Sequence, residues 1–278
     1  MSAITPPSPS QTDQSDDDVS TVFITALGTS DAFNSGGRGN SSFFVQDTIG
    51  AYCLDCGPTT PLSAKRLGID LNQIDVVYLT HLHGDHVNGL PSLLLDLLYK
   101  SNRQRPLTIA GPEGTKSHIS KLCALSYPKT IPERLCFELK WAEWPLHSEV
   151  IIHQRRVSSR PAQHDESVHP TCIRIEPLAH GAAKVAFSGD TGWCESLLEV
   201  ARGADALVCE CSYASYLFDG HLSFDEIKNN RQKLEVNRLI LTHFGQEARA
   251  AAQREHETVN VEVADDGDVF KICSRQDS

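Results

Sequence analysis

Three histidines and an aspartate stand within six residues of the chain, in the segment THLHGDHVNG at positions 80–89. They are His81, His83, Asp85 and His86, and they directly follow an apolar run. Imidazole and carboxylate are the usual protein ligands of zinc and related divalent ions. Side chains alternate along an extended segment, so the first two histidines would face one way, and Gly84 would permit a sharp turn before the other pair. The pattern predicts two neighbouring metal ions rather than a polar loop.

Two further candidate ligands follow apolar strand-like runs. Asp190 stands in VAFSGDTG and His243 in RLILTHFG, each just past the apolar residues. Alone, each could be a turn residue or a surface side chain. Their shared position at the end of a strand favours metal binding, and a carboxylate such as Asp190 could bridge two ions.

The elements that must position these residues alternate along the chain. Runs rich in apolar and β-branched residues predict strands at 21–28, 42–47, 50–56, 74–80, 107–112, 136–144, 149–157, 172–178, 184–190, 206–212 and 238–244. Helices are predicted at 60–69, 89–102, 113–125, 194–204 and 223–235, the last with Ser223 and Glu226 in a capping-box pattern. Strands interleaved with helices indicate a layered α/β or α+β domain.

Charge and composition restrict the class of protein. The 278 residues carry a formal net charge of -11, and nucleic-acid backbones are bound by clustered Lys and Arg, so a broad grip on RNA or DNA is disfavoured. The arginine-rich segments 101–106 and 153–161 could line an anion-binding rim, or could be solvated loops.

The sequence predicts a cytoplasmic protein with reduced thiols and no membrane contact. It has nine cysteines, no Lys or Arg before Arg38 and no long apolar stretch. Residues 1–20, rich in Ser, Pro and Asp, are predicted to be a disordered tail.

These motifs resemble the metallo-β-lactamase superfamily, and within it the ribonuclease Z and phosphodiesterase branch. The pattern His81-x-His83-x-Asp85-His86 carries the resemblance, with LGTSDAFNSGGRGNSSFFV, LDCGPTT and VNVEVADDGDVFKI resembling the opening loop, the Asp-Cys-Gly segment and the closing strands. The likeness runs from about residue 21 to residue 272. It implies one hydrolase domain over 21–278 with an αββα four-layer sandwich, in which helices flank two mixed β-sheets.

The resemblance also implies roles for individual residues. His81, His83 and a third histidine would bind one metal, Asp85, His86 and His243 the other, and Asp190 would bridge them. His164 and His169 are both candidates for the third histidine, and His164 is favoured because it lies further from the strand that follows. Glu210 and His221 match a proton-donating pair of the branch, although a strand-end charge and a loop histidine are the alternative. The implied cofactors are two divalent ions, zinc or else manganese or iron.

The expected activity is metal-dependent hydrolysis of a phosphodiester. Asp85 would orient the attacking hydroxide and His221, held by Glu210, would protonate the leaving oxygen. Only 25 residues separate His164 from Asp190, which leaves no room for the long arm of ribonuclease Z, so a small or nucleotide phosphodiester is favoured over transfer RNA. The alternatives are tRNA 3′ processing, lactone or thioester hydrolysis, and a metal-binding scaffold without catalysis. A homodimer is possible.

Overall fold

A computed structural model describes residues 21–131 and 133–274 of the chain. The predicted disordered tail at 1–20 lies outside the described residues. Within the described ranges, no helix combines the length and the apolar character needed to cross a membrane.

The strands and helices follow one another in a regular alternation. In chain order the strands are β1 (Thr21–Gly28), β2 (Ser42–Gln46), β3 (Ala51–Leu54), β4 (Ile74–Tyr78), β5 (Leu107–Pro112), β6 (Leu139–Trp144), β7 (Glu149–Ile152), β8 (Arg155–Pro161), β9 (Thr171–Pro177), β10 (Val185–Phe187), β11 (Ala206–Glu210), β12 (Arg238–Thr242), β13 (Glu262–Val263) and β14 (Val269–Cys273). The helices are α1 (Thr60–Arg66), α2 (Gly84–Val87), α3 (Leu90–Tyr99), α4 (Thr115–Ser126), α5 (Glu195–Ala201), α6 (Phe224–Asn230) and α7 (Gln246–Val259).

The strands form two mixed sheets with matching architecture. The first has the order β14-β1-β2-β3-β4-β5-β6 and the second the order β13-β12-β11-β10-β9-β8-β7. In the first sheet the strands from β3 to β6 run parallel, and in the second those from β10 to β13 do. The remaining neighbours are antiparallel. Each sheet therefore has a parallel half, whose strands all end at the same edge.

Apolar side chains fill three layers and confirm the predicted αββα sandwich. Ile24, Phe187 and Ile240 belong to a core between the two sheets. On the outer face of the first sheet, α3 contributes Leu90, Leu93, Leu94 and Leu97, whose spacing places them on one side of the helix. A third core joins α5, α6 and α7 to the second sheet. Burying one such leucine stabilises the fold by roughly 1.5–3 kcal/mol.

Two local predictions differ from the structure, and one helix was not predicted. The segment predicted as one strand at 149–157 is a hairpin of β7 and β8, which turns at His153 and Gln154, both with positive φ. Gly84 does not make a sharp turn but begins the short helix α2, and the preceding residue, His83, is extended. Helix α7 was not predicted at all.

A buried ion pair joins the two sheets and gives a stability prediction. The Arg155 guanidinium donates to both carboxylate oxygens of Asp47 at 2.7 Å, and both side chains are almost fully buried. We expect Asp47→Ala to lower the free energy of unfolding by about 3–5 kcal/mol, because it leaves a buried cation unpaired. Urea denaturation measures the loss. Arg156→Ala on the same strand, where the side chain is 46% exposed, is the control and should change stability by about 0.5 kcal/mol or less. Equal losses in the two variants would contradict the prediction.

Candidate metal centre

The predicted ligands meet at one edge of the sandwich. His81 follows β4 of the first sheet, while Asp190 follows β10 and His243 follows β12 of the second. These strands belong to the parallel halves, whose carboxyl ends open onto the same crevice, the usual place for sites in sheets of this kind. The fold therefore collects residues that are up to 162 positions apart in sequence, the separation of residues 81 and 243.

Three histidines form the first group of potential ligands. The ring nitrogens of His81, His83 and His164 all lie within 4.8 Å of one another. His164 Nε2 is 3.0 Å from His83 Nδ1. Of the two candidates for the third histidine, the structure brings His164 into the group, whereas His169 ends a 3-10 turn and lies beside Gly114.

The second group contains Asp85, His86, Asp190 and His243, again within 4.8 Å. The Asp190 carboxylate lies between the groups: Oδ1 is 3.3 Å from His86 Nε2, and Oδ2 is 3.4 Å from His243 Nε2 and 3.7 Å from His81 Nε2. A single carboxylate thus reaches histidines of both groups, which is the position that a bridging ligand requires.

The donor atoms fit divalent cations. His81 Nε2 and His86 Nε2 are buried, and neither has a hydrogen-bond partner among the described residues. Buried ring nitrogens are normally paired, and two unpaired ones that lie beside carboxylates fit the donor set of a divalent cation. Burial and the neighbouring His86 hold the pKa of His81 well below its usual value, which keeps this ring in the neutral form that binds metal.

Hydrogen bonds fix the ring orientation of four of these histidines. In each ring, Nδ1 pairs with a neighbouring oxygen: His81 with Thr80 Oγ1 at 3.0 Å, His86 with Asp55 Oδ2 at 2.8 Å, His164 with the Gly220 carbonyl at 2.8 Å and His243 with Ser212 Oγ at 3.0 Å. A ring that donates from Nδ1 presents the lone pair of Nε2 to the centre. Such outer partners orient ligands and strengthen metal binding.

Asp55 is a candidate site residue that the sequence reasoning missed. Its carboxylate accepts from Thr80 N–H at 2.8 Å, from Thr80 Oγ1 at 2.9 Å and from His86 Nδ1. It thereby holds His86 directly and, through Thr80, also supports the ring of His81. The signal was present, because Asp55 directly follows β3 just as Asp190 follows β10.

Removal of the Asp55 carboxylate should weaken metal binding. We expect Asp55→Asn to lower metal affinity about 10- to 100-fold. An NH₂ group in place of Oδ2 cannot accept the hydrogen bond from His86 Nδ1–H, so the two N–H groups would face each other. Competition of the metal-loaded protein with a chelator measures this. Asp70→Asn is the control, since Asp70 accepts a bond from Asn72 N in an exposed turn and asparagine caps equally well. Affinity within twofold of the unsubstituted protein would contradict the role of Asp55.

Glu210 and His221 form a pair beside both groups. Glu210 ends β11, and its buried carboxylate accepts from Thr191 N–H at 2.7 Å and Ser212 Oγ at 2.6 Å. His221 Nδ1 lies 2.8 Å from Glu210 Oε1. Burial lowers the pKa of His221, but the Glu210 carboxylate outweighs burial and raises it to about 9. The His221 ring lies 4.7 Å from that of His164, so this candidate proton donor is next to the cluster.

The arginine-rich segments do not line the centre. Arg103 and Arg155 are fully buried; Arg103 donates to the carbonyls of Arg105 and Pro106 at 2.8 and 2.6 Å, and Arg155 binds Asp47. Arg105 pairs with Asp75. These side chains hold loops and sheets together, so neither of the two alternatives for these segments, an anion-binding rim or a solvated loop, describes Arg103 and Arg155.

Comparisons with known proteins agree with this architecture. Ribonuclease Z of Methanothermobacter thermautotrophicus is 27% identical over 269 residues, covering 80% of this chain and 86% of that protein. Ribonuclease Z of Lachnospira eligens is 26% identical over 273 residues, with the same coverage of 80% and 86%. The metallo-β-lactamase fold protein YhfI from Bacillus subtilis aligns with a TM-score of 0.73 at 20% identity, covering 91% of this chain and 99% of that one. The short form of human tRNase Z aligns with a TM-score of 0.70 at 23% identity, covering 90% and 99%.

The fold and the His/Asp cluster together define a metallo-hydrolase of the metallo-β-lactamase fold, with ribonuclease Z among its relatives, as the resemblance predicted. Within this class, the family model described as anti-Pycsar protein Apyc1 matches residues 22–270. The chain belongs to that family.

Proposed function

We propose that this chain is a metal-dependent phosphodiesterase whose substrate is a small or nucleotide phosphodiester. The observation that carries the proposal is the Glu210–His221 pair, because it places a proton donor beside two groups of potential metal ligands. A phosphodiester needs such a donor when its leaving group is an alkoxide. Thioester hydrolysis calls for it less, since the thiolate that leaves is already stable near neutral pH. A lactone also releases an alkoxide, so it is distinguished from a phosphodiester by turnover.

The roles of the residues follow from their positions. Two divalent ions, which we propose to be zinc, supply an activated water and offset the charge of the phosphoryl oxygens when bound. His81, His83 and His164 would hold one ion, Asp85, His86 and His243 the other, and Asp190 both. Asp85 would also accept a hydrogen bond from the attacking water and orient it. His221 donates its Nε2 proton to the leaving oxygen as the bond from that oxygen to phosphorus breaks, while Glu210 holds the imidazolium through Nδ1.

The chain between His164 and Asp190 supports a small substrate. Strands β9 and β10 with their short connection occupy most of this segment, so a protruding RNA-gripping arm has no place there. Of the two basic segments, Arg103, Arg105 and Arg155 are engaged elsewhere, and Arg160 pairs with Glu199. A cytoplasmic nucleotide is an appropriate substrate for such a site.

The second candidate is tRNA 3′ processing. It is favoured by the relatives named ribonuclease Z, which this chain matches over 86% of their length. Both candidates use the same site and differ only in what the surrounding surface can hold.

A parallel assay of the metal-loaded protein tests the proposal. We expect turnover of a chromogenic phosphodiester and of cyclic nucleotides, with little activity on a precursor tRNA, a lactone or a thioester. Faster cleavage of the precursor tRNA than of cyclic nucleotides would select the second candidate. Turnover of the lactone or thioester alone would overturn the phosphodiesterase assignment.

A further inference from the structure

Two cysteines lie close together behind the segment that carries Asp190. Cys194 directly precedes helix α5 and is partly buried, whereas Cys172 in β9 is fully buried. Cys172 belongs to the core that joins α5 to the second sheet, and Cys194 packs against that core. The proposed metal ligands and the proton donor include neither cysteine.

The two thiols form a hydrogen bond in which Cys172 is the donor. This bond, together with burial, raises the pKa of Cys172 well above its usual value. The same bond outweighs burial at Cys194 and lowers the pKa of that thiol to about 5. Solvent therefore reaches a thiolate that has a protonated thiol beside it. Low pKa, access and a neighbouring thiol are the features of cysteines that oxidants modify.

A threonine connects this pair to the metal centre. Thr191 Oγ1 lies 3.4 Å from Cys194 Sγ, and it accepts a hydrogen bond from Gln163 N–H at 3.0 Å. Thr191 directly follows Asp190, and Gln163 directly precedes His164. A change at the Cys194 sulfur thus reaches two candidate metal ligands through one side chain.

The surroundings of the other cysteines favour reaction at this pair. Cys136 and Cys273 are exposed, but their sulfurs lie beside the Arg103 carbonyl and the Thr21 hydroxyl. Cys209 is buried, and burial raises the pKa of its thiol. Cys194 combines access to solvent with a thiol partner.

From these observations we propose that Cys194 and Cys172 are an oxidative modification site, where a peroxide joins them in a disulfide that disturbs the metal centre. The Cys194 thiolate attacks one oxygen of hydrogen peroxide, the O–O bond breaks, and the departing hydroxide takes a proton to become water. The Cys172 sulfur then attacks the sulfur of the resulting sulfenic acid. The S–O bond breaks, and a second water leaves with the Cys172 proton. Disulfides of reducing compartments are typically transient and sense oxidants in this way.

The effect on the metal centre follows from the Thr191 contact. In the disulfide, the Cys194 sulfur is bonded to Cys172 and no longer pairs with the Thr191 hydroxyl, so the segment 190–194 must adjust. Contacts that orient ligands are worth about 10- to 100-fold in metal affinity. We therefore expect the oxidised protein to bind metal about tenfold more weakly.

Mass spectrometry of unreduced peptides tests the modification. Metal-loaded protein is treated with hydrogen peroxide, its remaining thiols are blocked with iodoacetamide, and it is digested without reductant. We expect a peptide pair linked through Cys172 and Cys194, which a phosphine reductant separates. Cys194→Ser should prevent the link, and Cys136→Ser, which removes an exposed cysteine, should leave it intact.

Competition with a chelator then measures the effect on metal affinity. The loss should appear after peroxide treatment of the unsubstituted protein and of Cys136→Ser, should reverse on reduction, and should be absent in Cys194→Ser. A link from Cys194 to Cys209, or oxidation of Cys194 without a link, would overturn the pair. A Cys172–Cys194 link that leaves metal affinity unchanged, or an equal loss in Cys194→Ser, would overturn its effect on the centre. These measurements use no substrate, so their outcome is independent of the proposed function.

Discussion

Asp190→Ala should abolish hydrolysis almost completely. Its carboxylate lies within 3.7 Å of histidines from both sets of potential ligands, so its loss removes a link between the two proposed ions. Metal ions are worth several kcal/mol of transition-state stabilisation, so we expect turnover of a phosphodiester to fall by about a thousandfold or more. Metal analysis of the same preparation should show fewer metal ions per chain than the unsubstituted protein binds.

The control for this variant is Asp70→Asn, which removes a carboxylate from an exposed turn and should leave both turnover and metal content unchanged. Circular dichroism of each variant establishes that it is folded. Full metal content and a loss of turnover smaller than tenfold in Asp190→Ala would contradict the bridging role.

His221→Ala should also lower turnover strongly, but with the metal content intact. His221 is bound to Glu210 and is not assigned to either ion, so removing it deletes the proton donor alone. We expect a loss of about 10²- to 10⁴-fold for a cyclic nucleotide, whose leaving alkoxide must be protonated. The loss should be much smaller for a p-nitrophenyl diester, because p-nitrophenolate leaves without a proton.

His169→Asn is the matched control for His221→Ala. His169 lies outside the cluster and has positive φ, which asparagine tolerates better than alanine. Its substitution should leave the rates on both substrates unchanged. An equal loss on the alkyl and nitrophenyl substrates in His221→Ala would show that His221 positions the substrate or the metal and is not the acid.

Sequence alone predicted the part of the site that is local in the chain. His81, His83, Asp85 and His86 stand together because the segment after β4, a short loop followed by helix α2, supplies all four. Asp190 and His243 repeat the pattern of a polar residue at a strand end. The repeated strands and apolar helices likewise predicted the layered fold.

What the sequence did not predict depends on distant partners or on weak local signals. The role of Asp55 requires knowing that it meets His86 across 31 positions. Arg155 resembled an anion-binding residue because its partner Asp47 is 108 positions away. Helix α7 packs through Ala248, Ala251 and Ala252, which have helical spacing but little apolar bulk.

The hairpin of β7 and β8 was missed for a different reason. His153 and Gln154 both adopt positive φ, a conformation for which tight hairpins usually use asparagine and glycine. Their side chains gave no turn signal, so the two strands looked like one.

The central claim is that the crevice between the two sheets binds two divalent ions. Elemental analysis of the purified protein, after incubation with zinc, manganese or iron and removal of unbound metal, tests it most directly. We predict about two ions per chain for the unsubstituted protein, since the seven predicted ligands fall into one group of three and one of four. A protein that retains no metal under these conditions would contradict the claim.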